Sequence, residues 1–175
     1  MRLWPSRRPV ARRAGQPRLL VPFTAKQLDP TVLDAALRIA RAEDALLVPA
    51  YLLVVPLEFS LEAPVQHDEL TRAMPILEAV ELAARRAGVP VDARIERGRT
   101  PIDALQRLWA AEPFDRTVVP APRPRQPGFS PDDLAWMLTY APNETLILRP
   151  GPDDGATETV RPPWFPARTP ETGPS

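Results

Sequence analysis

The 175-residue chain carries 22 basic and 22 acidic side chains, one histidine, 25 prolines and no cysteine. Balanced charge excludes an overall field aimed at nucleic acid or an anionic membrane, and the missing thiol excludes disulfides, cysteine nucleophiles and cysteine-ligated metals, as suits a reducing compartment. The length allows a single α/β domain with a sizeable core plus two tails.

Residues 1–17 are expected to form a disordered basic tail. Arg7, Arg8, Arg12, Arg13 and Arg18 all precede the first acid, Asp29. Ser6-Arg7-Arg8 has a trace of a twin-arginine export signal, but Pro, Arg and Gly follow where an apolar segment is required, so cytoplasmic residence is expected. The arginines can reach nucleic acid or anionic lipid through counterion release, or simply stay solvated. Trp4 is their only aromatic neighbour and no groove-reading motif follows, so no nucleic-acid partner is expected.

The domain is expected over residues 18–150. "RLLVPF" is an apolar first strand. "LDPTVLDAALRIARAED" follows as a helix, with Asp29 at the N-cap, Pro30 at the first helical position, and Leu33, Ala36, Leu37 and Ala40 on one stripe. "ALLVPAYLLVV" reads as a second strand. Its apolar run extends to about a dozen residues against the ~20 that span a bilayer, so no membrane partner is expected. Pro49 lacks a ladder donor and requires a bulge or an early start of the paired region.

"HDELTRAMPILEAVELAARRAG" is the longest helix, with Leu70, Ala73, Leu77, Val80, Ala84 and Ala87 on its apolar stripe, Pro75 as a kink or true start, and Gly88 as the stop. His67 sits at its exposed beginning. It is the only histidine, which leaves no His-rich metal site and no Ser/His/Asp triad with a spare histidine nearby. "VDARIE" is the third strand. In "GRTPIDALQRLWAAE", Thr100 caps a helix that starts at Pro101, carries Asp103 in its first turn and buries Ile102, Leu105 and Trp109. "FDRTVVPA" is the fourth strand. "SPDDLAWMLTYAP" repeats the start signal with Ser130, Pro131 and Asp133, and "ETLILRP" closes as the fifth strand. Asp132 and Asp133 suit the helix dipole rather than Mg²⁺, and no metal site is expected.

Five strands alternating with four helices imply an α/β, three-layer, doubly wound sandwich around a mostly parallel sheet. Residues 151–175 are too polar and proline-rich to bury a core and are expected to form a disordered tail. Trp164 and Phe165, in "RPPWFPAR", are the exception and can dock on the domain or on a partner.

The series "LLVPF", "LVPAYLLVVP", "AGVPVDARIERGRTPIDAL", "FDRTVVPA" and "APNETLILRP", in this order over about residues 18–150, resembles the universal stress protein family. The resemblance implies a Rossmann-like sheet in order 3-2-1-4-5 and a homodimer formed along the last strand, here through Leu146, Ile147 and Leu148. ATP-binding members have an acid at the tip of the first strand, where this chain has Thr24. They also have a glycine-rich loop after the fourth strand, whose backbone N–H groups cradle phosphate.

That loop is here "APRPRQPGFSP". It keeps only Gly128, with Ser130 near it, and the prolines at 122, 124, 127 and 131 each remove an N–H from any phosphate cradle. The chain thus resembles the branch lacking the ATP loop, and no cofactor is expected. The alternative ligand is ATP or another adenine nucleotide. An anionic ligand would be held by the side chains of Arg123 and Arg125, with Thr24, Gly128 and Ser130 beside them at the carboxyl ends of the strands. The competing reading leaves both arginines solvated and Ser130 as a helix cap.

No catalytic constellation emerges. Two classes of function remain open: a non-enzymatic stress-related or regulatory protein acting by dimerisation and binding of an unidentified protein partner, and a nucleotide or anionic small-ligand binder using a modified pocket. A third is an adaptor that works through the tail.

Overall fold

The computed structural model describes residues 15–24, 28–62, 67–121 and 128–149. Five parallel strands lie in the order β3-β2-β1-β4-β5. In chain order the elements are β1 (Arg18–Thr24), α1 (Pro30–Ala42), β2 (Leu46–Val54), α2 (His67–Ala87), β3 (Arg94–Gly98), α3 (Pro101–Ala111), β4 (Arg116–Pro120), α4 (Pro131–Tyr140) and β5 (Glu144–Leu148).

Side-chain alternation divides the core into two layers. Leu19, Val21 and Phe23 of β1, with Leu47, Tyr51 and Leu53 of β2, meet Val32, Leu33 and Ala36 of α1 and Leu77 and Val80 of α2. Leu20 of β1 and Val48, Ala50 and Leu52 of β2 point the other way, onto Leu105 and Leu108 of α3 and Leu134 and Met137 of α4. The central strands therefore read as unbroken apolar runs because both of their faces are covered.

Local signals behave as their chemistry requires. The Asp29 carboxylate accepts from the Thr31 N–H at 2.9 Å, and Thr100 Oγ1 accepts from the Asp103 N–H at 3.0 Å. Gly88, at φ +70°, ends α2 in a Schellman motif: the Val89 N–H reaches the Ala84 carbonyl at 2.9 Å and the Gly88 N–H reaches that of Arg85 at 3.1 Å.

Pro49 needs no bulge. Leu47 turns its N–H and C=O toward Pro90 and Asp92, so strand parity turns the Pro49 nitrogen to the same side. There the pairing with β3 is interrupted, running from the isolated bridge Leu47–Val91 to the resumed ladder at Ala50–Arg94. The third strand accordingly begins at Arg94 and extends to Gly98, rather than covering residues 91–96. α2 runs through Pro75, which is not its start. In α3 the buried stripe is Ala104, Leu105 and Leu108, while Ile102 and Trp109 are only partly covered.

At the amino-terminal end of the sheet the Arg18 side chain is 93% enclosed and donates to Glu112 at 2.6 Å and to the Pro113 carbonyl at 3.3 Å, its guanidinium lying 4.7 Å from the centre of the Phe114 ring. Glu112 is shared with Arg94 at 3.5 Å, and Arg94 pairs with Asp92 at 2.7 Å. Arg116 bridges Glu144 of β5 and Glu43 just after α1. Just before β1, Leu46 donates to the Pro17 carbonyl at 2.8 Å and Gln16 donates to that of Asp44 at 2.9 Å.

Candidate functional site

In an open parallel sheet the ligand crevice forms where the strand order reverses, beyond the carboxyl ends of the two strands that part there. In this order the reversal falls between β1 and β4. Thr24 is the last residue of β1 and is half-buried, paired in register with Leu52. β4 ends at Pro120, and the chain re-enters the described residues at Gly128, which is exposed. Phe129 then inserts into the α3/α4 core at 4% exposure and anchors the start of α4. Ser130 is the N-cap of α4. The fold therefore places Thr24, Gly128 and Ser130 at one edge. Arg123 and Arg125 lie outside the described residues.

Most of the donors at the N-terminus of α4 are taken by its own residues. Asp133 Oδ2 accepts from both the N–H and the hydroxyl of Ser130, each at 2.8 Å, and the Ser130 hydroxyl oxygen accepts from the Asp133 N–H at 3.1 Å. Pro131 has no N–H to offer, and Asp132 adds a second negative charge in the first turn. A helix N-terminus attracts anions through free N–H groups and its dipole. Here one carboxylate already occupies that position and another repels a newcomer.

Two arginines that sequence reasoning passed over reach the same edge of the sheet. Arg99 follows the last residue of β3 and donates through Nη1 to the carbonyls of Val55 at 3.1 Å, Pro56 at 2.5 Å and Phe59 at 2.9 Å. Arg97 donates to the Leu61 carbonyl at 2.8 Å. Together they hold the segment after β2, which presents Leu57 and Phe59 to solvent. The available signal was the pair of arginines flanking Gly98 in "ERGRTP", although the strand pattern alone does not say what they bind. Replacing Arg99 by alanine removes the donor shared by three carbonyls, of which that of Pro56 keeps the Phe59 N–H at 3.1 Å. Amide exchange in residues 55–61 should then rise by about tenfold or more, equivalent to roughly 1.4 kcal/mol of local opening, while the exchange of β1 stays unchanged.

Leu146, Ile147 and Leu148 are half-buried in β5, an edge strand bonded only to β4. Leu146 and Leu148 lean on the α1/α2 core and Ile147 on the other. The Glu144 N–H and the Leu148 carbonyl point at β4, which leaves the backbone groups of Thr145 and Ile147 facing outward. A cavity of about 370 Å³ lies at the opposite, amino-terminal end of the sheet, beside Trp109, Pro113, Phe114 and Pro142. Among the described residues no cluster of His, Asp or Glu could hold a metal ion, and no helix is long and apolar enough to cross a membrane.

No protein-family model and no curated protein matches the chain. Solved structures do. A protein of the universal stress protein family from Burkholderia pseudomallei is 21% identical, with a TM-score of 0.55 over 75% of this chain and 94% of its own. A universal stress protein in complex with cAMP is 24% identical, with a TM-score of 0.58 over 75% of this chain and 96% of its own. A universal stress protein family protein from Arabidopsis thaliana with AMP bound is 16% identical, with a TM-score of 0.56 over 80% and 98%. The structural neighbours are universal stress proteins, and the chain has their α/β Rossmann-like fold with the sheet order the resemblance implied.

Proposed function

We propose that this protein is a non-enzymatic, stress-related or regulatory protein of the cytoplasm, acting through a homodimer and an unidentified protein partner rather than as a tight ATP binder. The observation that carries this reading is the closed capping box at α4. Ser130, Pro131 and Asp133 leave few donors where a phosphate would sit, and Asp132 repels it. Thr24, in place of an acid at the tip of β1, removes a second nucleotide contact that ATP-binding members of the family have.

The test is a thermal melt with millimolar Mg-ATP, repeated with ADP, AMP and a cyclic dinucleotide. No shift is expected. A ligand at ~100 times its dissociation constant would add about 2.7 kcal/mol, or roughly 5–10 °C for a domain of this size, and that result would overturn the reading.

The bare edge of β5 supports the dimer, because unpaired strand groups flanked by apolar side chains invite pairing. The protein should sediment as a dimer at tens of micromolar. Ile147→Pro removes an outward N–H without touching the β4 ladder and should give a folded monomer. A wild-type monomer would refute the arrangement.

A second reading is favoured by the AMP and cAMP complexes among the structural neighbours. In it, Thr24, Gly128 and Ser130 border a pocket for an adenine nucleotide or another anion, and Arg123 and Arg125 supply the charge that the backbone does not. A nucleotide-dependent melt abolished by substituting both arginines would establish it.

A further inference from the structure

The outer surface of the α3/α4 layer carries an aromatic stripe. Trp109 of α3 stacks on Trp136 of α4 with ring centres 6.1 Å apart and planes 14° apart, and Trp136 meets Tyr140 at 5.3 Å. The two indoles are half-buried and Tyr140 is 64% exposed. At its Trp109 end the stripe runs into the cavity bounded by Pro113, Phe114 and Pro142. The indole N–H of Trp109 is covered yet has no acceptor, so the stack as it stands leaves a polar group unsatisfied. Asp132, one turn before Trp136 on the same helix face, is exposed.

We propose that this stripe is the docking surface for the chain's own segment "RPPWFPAR", residues 161–168. Proline rings lie flat on indole and phenol faces, and their fixed φ lowers the ordering cost of binding, which is why aromatic grooves take P-x-x-P ligands. Pro163 and Pro166 have that spacing. Trp164 and Phe165 between them match a cavity roomy enough for one aromatic ring, and Arg161 and Arg168 offer charge complementary to Asp132.

The connection has the right length and origin. β5 ends beside α4, since Ile147 packs in the same cluster as Leu134 and Met137. About 12 residues separate Arg149 from Arg161, enough to cover up to ~40 Å when extended, whereas α4 is only about 15 Å long.

The chain has no cysteine, so Thr169→Cys in the full-length protein accepts a single nitroxide label. With docking, the indole NMR signals of Trp109 and Trp136 lose at least half their intensity and that of Trp4 does not. Pro163→Ser with Pro166→Ser restores both signals, as does an excess of a synthetic peptide of residues 159–170. Undiminished Trp109 and Trp136 signals would overturn the proposal. So would losses that appear when labelled chain is mixed with isotope-enriched unlabelled chain, because the stripe would then bind a second copy.

Discussion

Replacing Glu112 by alanine should lower the unfolding free energy by about 3–5 kcal/mol, the cost of leaving one partner of a buried ion pair without its counter-charge. Arg18 is 93% enclosed and its strongest contact is the 2.6 Å bond to Glu112. Without that carboxylate the guanidinium keeps one carbonyl, at 3.3 Å, and the face of Phe114, neither of which carries a full negative charge. Arg94 loses its second partner at the same time. Chemical denaturation of the variant reads the loss directly. The double variant Arg18→Leu with Glu112→Leu should recover most of it, because an apolar pair leaves no buried charge unmatched. A loss below 1 kcal/mol in the single variant would mean that water reaches the cluster.

Asp92, at the far end of the same cluster, behaves differently. Burial raises its carboxyl above the usual 3.8; Arg94 opposes the rise, Glu112 adds to it and Arg18 opposes it. A raised native value means that the folded state holds the proton more tightly than the unfolded chain. The stability this group contributes is therefore fully present below the unfolded value and is lost as pH rises through the folded one. Asp92 is thus not a source of acid unfolding.

The second large effect is expected at Gly98. A Cβ built there would lie 2.3 Å from the Ala104 nitrogen and 2.7 Å from its Cα, both backbone atoms of α3 that no rotamer change can move. Gly98→Ala should cost about 3 kcal/mol, at the upper end of overpacking penalties, and lower the melting temperature by roughly 6–12 °C. Gly88→Ala provides the internal contrast. Its Cβ meets open space, and only the φ of +70° is unfavourable, so about 1–2 kcal/mol is expected. Equal losses at the two positions would show that β3 and α3 can separate to admit the methyl group.

Helix starts were legible because each signal lies within one turn. Asp29, Thr100 and Ser130 are each followed by proline, and all three cap the helices expected of them. The end of α2 was equally plain in Gly88. The start of β3 was less so, since "VDA" alternates like a strand while its partner Pro49 offers no donor, a fact visible only once the strands are aligned. In α3 the periodicity pointed to Ile102, Leu105 and Trp109 as the buried stripe, whereas the close approach of Gly98 to Ala104 turns Ala104, Leu105 and Leu108 inward.

The candidate site divides along the same line. Thr24 and Ser130 could be assigned to the carboxyl edge from sequence, because a strand tip and a helix cap are local features. That Asp133 would take the donors of the cap followed from a spacing of three residues.

By itself, then, the sequence determined the order and type of the elements, their caps and stops, and, through the family resemblance, the order of the sheet. Those rest on hydrogen bonds and periodicity between near neighbours. Only the tertiary structure decided that Arg18 is buried against Glu112, that Arg99 straps residues 55–59, and that Trp109 stacks on Trp136. Each of these joins groups that lie far apart in the chain. A side chain's long-range partner is set by how the layers pack, and no local pattern encodes that distance.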